Sequence, residues 1–238
     1  MGKLIVVEGT DCSGKETQTK KLVERLNEDG FKTIRLGYPM YDTPTGKIIG
    51  ACLLGKPQMC EELLKQDHGF FKEGGGNVDP LTAILLYAAD RRYNLPKIYE
   101  ALDNYDVVIL DRYVPSNMAH RGGQILDEEK RHKMYEMIEN LEYEILEEPK
   151  PDMTVFLYMP YEWACELKKN RDEKPDEVET NEEYLRQGEK TFLELEKLYD
   201  YTRINCVEDN KLKTIDDISD EVYVKVTKFL NSTKKILK

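Results

Sequence analysis

An unbroken apolar run, Leu4-Ile5-Val6-Val7, that stops at Glu8-Gly9 constrains this chain more than any other stretch. Such a run suits a strand buried on both faces of a parallel sheet, where the usual alternation with polar residues disappears. Directly after it, Gly9-Thr10-Asp11-Cys12-Ser13-Gly14-Lys15 fills the first seven places of the phosphate-loop pattern G-x-x-x-x-G-K-[ST]. Glycines there let backbone N–H groups close around phosphate oxygens, with Lys15 on the β- and γ-phosphates. A helix is predicted from Gly14 to about Asp29, turning its unpaired N–H groups and positive dipole end to the same anion. The eighth place departs from the pattern: Glu16 stands where a hydroxyl usually ligates magnesium, and Thr17 comes one residue late. A Gly-rich turn after a strand also occurs as a plain tight connection, and it is the strand before and the helix after that favour the phosphate reading.

The 238 residues suit one α/β domain spanning 1–238. Asp and Glu number 46 against 35 Lys and Arg, a net charge of −11, which argues against nucleic-acid polymers and anionic membranes as partners. A small phosphorylated ligand needs only a few local cations and stays compatible. The five cysteines, at 12, 52, 60, 165 and 206, form no close pairs, as expected of reduced thiols rather than a disulfide framework or a zinc site. The first strand begins within three residues, leaving no room for a signal peptide, and no apolar run reaches membrane-spanning length. The expectation is a soluble, cytoplasmic protein.

Along the chain, strands are predicted at Lys32 to Gly37, Tyr105 to Leu110, Asp152 to Met159 and Thr202 to Val207. Helices separate them, so the fold class is α/β, a five-stranded parallel sheet flanked by helices. Tyr38 to Pro44 breaks regular structure beyond the second strand, where ligands gather in such sheets; stiffening of a loop by its two prolines reads equally well. A helix is expected from Thr45 to about Leu54, and Gly74-Gly75-Gly76 reads as a loose break. Asp79-Pro80 looks like a cap with proline in the first turn. The helix after it carries Leu81, Ile84, Leu85, Ala88 and Ala89 on one side and Tyr87 and Arg91 together on a face, with Pro96 expected to bend or stop it. Asp111-Arg112-Tyr113 closes the third strand; an acid there is placed to face magnesium, though it is also an ordinary helix cap. Further helices are predicted at Ser116 to Arg121, Asp127 to about Glu147, Tyr161 to Asn170 and Ile215 to Leu230, with a very acidic segment after Asn170.

With EGTDCSGKETQT at Glu8 to Thr19, LLYAADRRYNL at Leu85 to Leu95 and DRYVPSNMAHRGG at Asp111 to Gly123 in this order, the chain resembles thymidylate kinase from Lys3 to about Ile218. The resemblance implies a P-loop NTP hydrolase type of fold with a mobile lid, and transfer of the γ-phosphate of ATP to dTMP, giving dTDP and ADP, with Mg2+. It implies that Gly9 to Thr17 hold ATP, that Asp11 faces the deoxyribose 3′-hydroxyl, that Tyr87 stacks on thymine and that Arg91 hydrogen-bonds the base O4. Arg112 and Tyr41 would meet the acceptor phosphate, Asn117 the base, His120 the sugar and Asp111 the magnesium. Those residue types suit the roles: guanidinium forks match phosphate and carbonyl oxygens, and an aromatic face is a platform for a base. His120 stands where an aromatic is usual, and Cys12 where one branch carries a catalytic Arg. The other branch supplies that charge from the lid, here near 171–183, where seven acids accompany only Arg171 and Lys174, and Arg171 is the candidate. The family is typically a homodimer.

The acceptor in this reaction is already an anion, so no general base is required, and Lys15, Arg112, magnesium and a lid cation would act by position and charge. One alternative is a deoxynucleoside kinase, which needs a carboxylate beyond the second strand, where this chain has Gly37-Tyr38-Pro39. Another is a nucleotide-binding P-loop protein without turnover, suggested by Glu16 and the acidic lid.

Overall fold

The computed structural model describes residues 1–59, 71, 77–169 and 181–236. Five strands form one parallel sheet: β1 (Lys3–Gly9), β2 (Thr33–Gly37), β3 (Val107–Asp111), β4 (Met153–Tyr158) and β5 (Thr202–Asn205), in the order β2-β3-β1-β4-β5. The apolar run of β1 explains its central place. Leu4 and Val6 pack with Val108, Leu110 and Phe156 on one face, Ile5 and Val7 with Val107, Ile109, Val155 and Leu157 on the other. All four residues of the run are at most 1% exposed, so neither face tolerates a polar residue.

The second of these faces is covered by α1 (Lys15–Glu28), through Leu22 and Leu26, and by α8 (Ile215–Ile236), through Ile218, Val222, Val226 and Leu230. The first packs against α3 (Pro80–Asn104), α4 (Val114–Gly122), α5 (Glu128–Glu139) and α7 (Glu182–Leu198). Two shorter helices, α2 (Pro44–Leu53) and α6 (Tyr161–Lys169), follow β2 and β4. No disulfide joins the cysteines among the described residues, and no helix among them is long and apolar enough to cross a membrane.

Several expectations are corrected. Pro96 neither stops nor ends α3, which runs on to Asn104 because Leu95, Ile98, Ala101 and Leu102 are buried around it; that burial outweighs the roughly 3 kcal/mol an interior proline costs. The apolar side read for α3 is split: Ile84 and Ala88 are buried, whereas Leu81 and Leu85 are about half exposed. The long helix expected over 127–147 is α-helical only to Glu139, then winds as a π-helical turn over Asn140–Ile145. The acidic segment contains α7, capped by the Asn181 side chain at Tyr184 N (3.0 Å), with Phe192 and Leu195 buried. The fifth strand ends at Asn205, and a small hairpin, β6 (Val207–Glu208) with β7 (Lys211–Leu212), follows it. Gly74-Gly75-Gly76 and Arg171 lie outside the described residues.

Candidate active site

β1 delivers the phosphate loop to the carboxyl edge of the sheet. At Gly9 there is no room for a side chain: a Cβ would come within 2.6 Å of the Leu157 carbonyl oxygen. Gly14 (φ 77°) and Cys12 (φ 54°) take left-handed backbone conformations, which turn the chain sharply into α1. The Thr10 hydroxyl donates to Met159 O (2.7 Å) and accepts from Met159 N (2.8 Å), pinning the loop to the end of β4. Lys15 is buried and folds back along the loop, donating to Gly9 O (2.9 Å), Thr10 O (2.8 Å) and Ser13 Oγ (3.3 Å). Burial and the neighbouring Arg112 push its ammonium down to about 8. Glu16 points outward to Lys20 (2.7 Å), with its side chain 68% exposed.

β3 delivers Asp111 and Arg112. Asp111 receives Arg35 Nη2 on one oxygen (2.6 Å), while Arg35 Nε is held by the Thr19 hydroxyl (2.8 Å). Arg112 has φ 66°, strained for a residue with a side chain, and its backbone N–H donates to Val7 O (3.1 Å). Behind them Glu8, fully buried at the end of β1, accepts from Tyr113 N (2.7 Å), Ser116 N (3.1 Å) and Ser116 Oγ (2.7 Å). Its carboxylate thus caps α4 and ties that helix to the phosphate loop.

The loop after β2 is held by Asp90, which accepts from Met40 N (3.1 Å) and the Thr45 hydroxyl (2.6 Å), and it carries Tyr41, whose hydroxyl meets Lys56 Nζ (3.2 Å). Tyr87, on α3, lies beneath the Arg121 guanidinium, 5.8 Å from its ring centroid, and Arg121 also sits 5.6 Å from the Tyr184 ring. Arg121 is 1% exposed, and its Nε has no hydrogen-bond partner among the described residues. His120 stacks on Tyr184 (5.5 Å) and meets the edge of Phe192 (5.7 Å). Burial, Arg112, Arg121 and Lys15 push it down to about 3, so its ring is neutral.

Arg91 is also buried. Its Nη2 donates to Glu142 Oε1 (2.5 Å) and its Nε to Glu142 Oε2, with Glu148 3.7 Å away. Asn117 adds a hydrogen bond to Glu142 Oε1 (3.1 Å). Burial pushes Glu148 up to about 8. A further pair crosses the site: Lys168, near the end of α6, bridges to Asp11. Burial pushes the Asp11 carboxyl up, but Lys168 and Lys15 beside it outweigh that and hold it below the usual carboxylate range.

The structure therefore brings Lys15, Asp11, Asp111 and Arg112 to one edge, gathers Tyr87 and His120 around Arg121 and Tyr184, and joins Arg91 and Asn117 through Glu142. Sequence reasoning missed Glu8, Arg35, Arg121, Glu142 and Lys168, each of which acts on a residue far away in the chain. Only Glu8 and Arg121 lay inside recognised motifs, and an acid or arginine inside a motif was the available signal.

A phosphate-loop turn with Lys15 folded along it stands at the sheet edge beside Arg112, whose charge also reaches Tyr87. That pairing defines the class, a P-loop kinase that passes a phosphoryl group between two bound nucleotides. The thymidylate kinase family profile matches residues 7–68 and 69–221, and the chain belongs to that family. It is 33% identical over 184 residues to the thymidylate kinase of a Prochlorococcus marinus strain, covering 75% of this chain and 76% of the relative. It is 32% identical over 228 residues to a Sulfolobus acidocaldarius protein named "Probable thymidylate kinase", covering 96% and 98%. The solved thymidylate kinase of Candida albicans superposes with a TM-score of 0.68 over 96% of this chain and 93% of that one; at 23% identity this likeness bears on the fold alone.

Proposed function

We propose that this single-domain, ATP-dependent nucleoside monophosphate kinase takes dTMP as acceptor and yields dTDP and ADP. The observation that carries the reading is that Arg112 lies near both Lys15 of the loop and Tyr87 of α3, within a chain that belongs to the thymidylate kinase family. The backbone of Gly9 to Thr17 binds the ATP phosphates, and Lys15 exchanges its three loop contacts for phosphate oxygens. Tyr87 stacks on the base, Arg91 and Asn117 read its edge, His120 and Asp11 border the sugar, and Arg112 and Tyr41 hold the acceptor phosphate. The left-handed backbone at Arg112 fits a side chain kept in one productive orientation.

Asp111 keeps one carboxylate oxygen outside the Arg35 contact, and an oxygen-only donor of this kind suits Mg2+ held through its water ligands. When bound, that ion neutralises charge on the ATP phosphates. Lys168 joins Arg171 as a source of the lid charge, a reading supported by its contact with Asp11 of the phosphate loop. A homodimer is supported by the stripe of Leu81, Leu85 and Tyr93 on α3, which is exposed and apolar or aromatic. Cytoplasmic residence fits cysteines that form no disulfide among the described residues.

Purified protein assayed with Mg-ATP and a panel of nucleoside monophosphates should convert dTMP to dTDP in preference to CMP, AMP and dCMP. Turnover of CMP or AMP with none of dTMP would refute the choice of acceptor.

A further inference from the structure

The base-reading pair is set by a residue outside every motif. Glu142 lies on the π-helical turn, is fully buried, and receives three donors: Nε and Nη2 of Arg91 and Nδ2 of Asn117. The second hydrogen of Asn117 Nδ2 goes to Ile84 O (3.2 Å). A carboxylate and a carbonyl accept but never donate, so these two contacts fix which end of the Asn117 amide is nitrogen. The oxygen, Oδ1, is therefore presented on the opposite side, and it is buried without a hydrogen-bond partner among the described residues. Arg91 in turn has two of its three nitrogens committed to Glu142, leaving Nη1 without a hydrogen bond among the described residues. One acid thus holds both side chains and leaves a donor, Arg91 Nη1, and an acceptor, Asn117 Oδ1, as the atoms it does not engage.

We infer that Glu142 is the positioning residue for base specificity in this enzyme, an inference that rests on the dTMP reading above. A donor beside an acceptor matches an edge that offers a carbonyl oxygen beside a ring N–H, the 4-oxo, N3–H edge of thymine. Cytosine presents the reverse, an amino donor beside a ring acceptor, and would meet donor against donor and acceptor against acceptor. An orphan buried acceptor is costly until a ligand donor satisfies it, so the pocket discriminates by what it leaves unpaired as well as by what it binds. The π-helical winding has a role in this account. An extra residue per turn displaces side chains from their α-helical register, and the turn begins where α5 would otherwise continue.

The test is Glu142→Gln. A carboxamide has one acceptor atom, so in either orientation at least one of the three converging donors faces an N–H, and the aim of the pair is lost. The ratio of kcat/KM for dTMP over dCMP should fall at least tenfold, through a higher KM for dTMP, with the KM for ATP unchanged. Glu142→Asp keeps the charge but retracts the carboxylate by one methylene; it should lower the ratio severalfold and serves if the Gln variant does not fold. A purely structural acid would lower turnover of both acceptors together, and an unchanged ratio in folded variants overturns the inference. Wild-type enzyme in the same assay separates the two levels: no dTMP turnover sinks the substrate reading itself, whereas dTMP turnover with variant ratios equal to wild type sinks only the role of Glu142.

Discussion

The phosphate loop and the proposed acceptor pocket are built by opposite means. The loop is local: nine consecutive residues, Gly9 to Thr17, shaped by backbone conformation, with Lys15 paired to carbonyls of its own loop. The pocket is assembled across the chain, with Arg91 from α3, Asn117 from α4, and Glu142 and Glu148 from beyond α5 meeting in one buried cluster. Among the described residues the loop's cation makes no salt bridge and is held by oxygen atoms of its own loop, ready to be claimed by a ligand. The pocket's Arg91 is neutralised before any ligand arrives. Chemistry and stability are thus separated in space: damage to the loop should cost rate, and damage to the pocket should cost folding.

The largest effect sought is on rate. Lys15→Ala should lower kcat by about 10²–10³ or more, as for loss of a group aimed at transition-state charge. Its thermal midpoint should not fall, because a buried ammonium is removed; a cooperative loss of several degrees would break the contrast. Arg91→Ala should do the reverse. Leaving Glu142 buried without its cation should cost about 3–5 kcal/mol in denaturant unfolding, with a raised KM for dTMP and an unchanged KM for ATP. A neutral effect on stability would show that the cluster is not the pocket's foundation.

Two pH experiments sharpen the same comparison. Lys15 titrates at about 8 without ligand, and bound phosphates raise that value, so ATP affinity should be flat below pH 8. Above it, affinity should decline by up to about tenfold per pH unit until the bound enzyme also loses the proton; isothermal titration across pH 6.5–9.5 measures it. Glu148 is raised from 4.5 to about 8 by burial, so the folded state keeps a proton that the unfolded state has lost. Its contribution to stability therefore falls as pH climbs from about 4.5 to about 8 and levels off beyond. Glu148→Gln should accordingly raise the thermal midpoint by a few degrees at pH 8.5 and by less at pH 5, and an equal shift at both would assign the gain to packing.

The same contrast explains what was legible in the sequence. β1, the loop and α1 announce themselves, because an apolar run, two glycines and a lysine at fixed spacing specify a conformation without help from elsewhere. The five strands and their parallel arrangement follow from apolar runs alternating with helices. Pro96 misled because propensity is outweighed when the residues around it are buried, and α7 was hidden by acidic residues on its exposed face. Glu142 and Lys168 were invisible for a simpler reason. One among forty-six acids and one among thirty-five cations, each gains meaning only from a partner more than twenty residues away.

The triple acceptance at Glu8 makes the first strand and α4 a single strut. On the proposed reading of the site, the span between the two nucleotides is then a built-in dimension rather than something each substrate negotiates on arrival. Shortening that carboxylate by one carbon would leave either nucleotide able to dock unhindered, while the attacking oxygen and the phosphorus met slightly out of line. Turnover would suffer, and neither affinity would betray the cause.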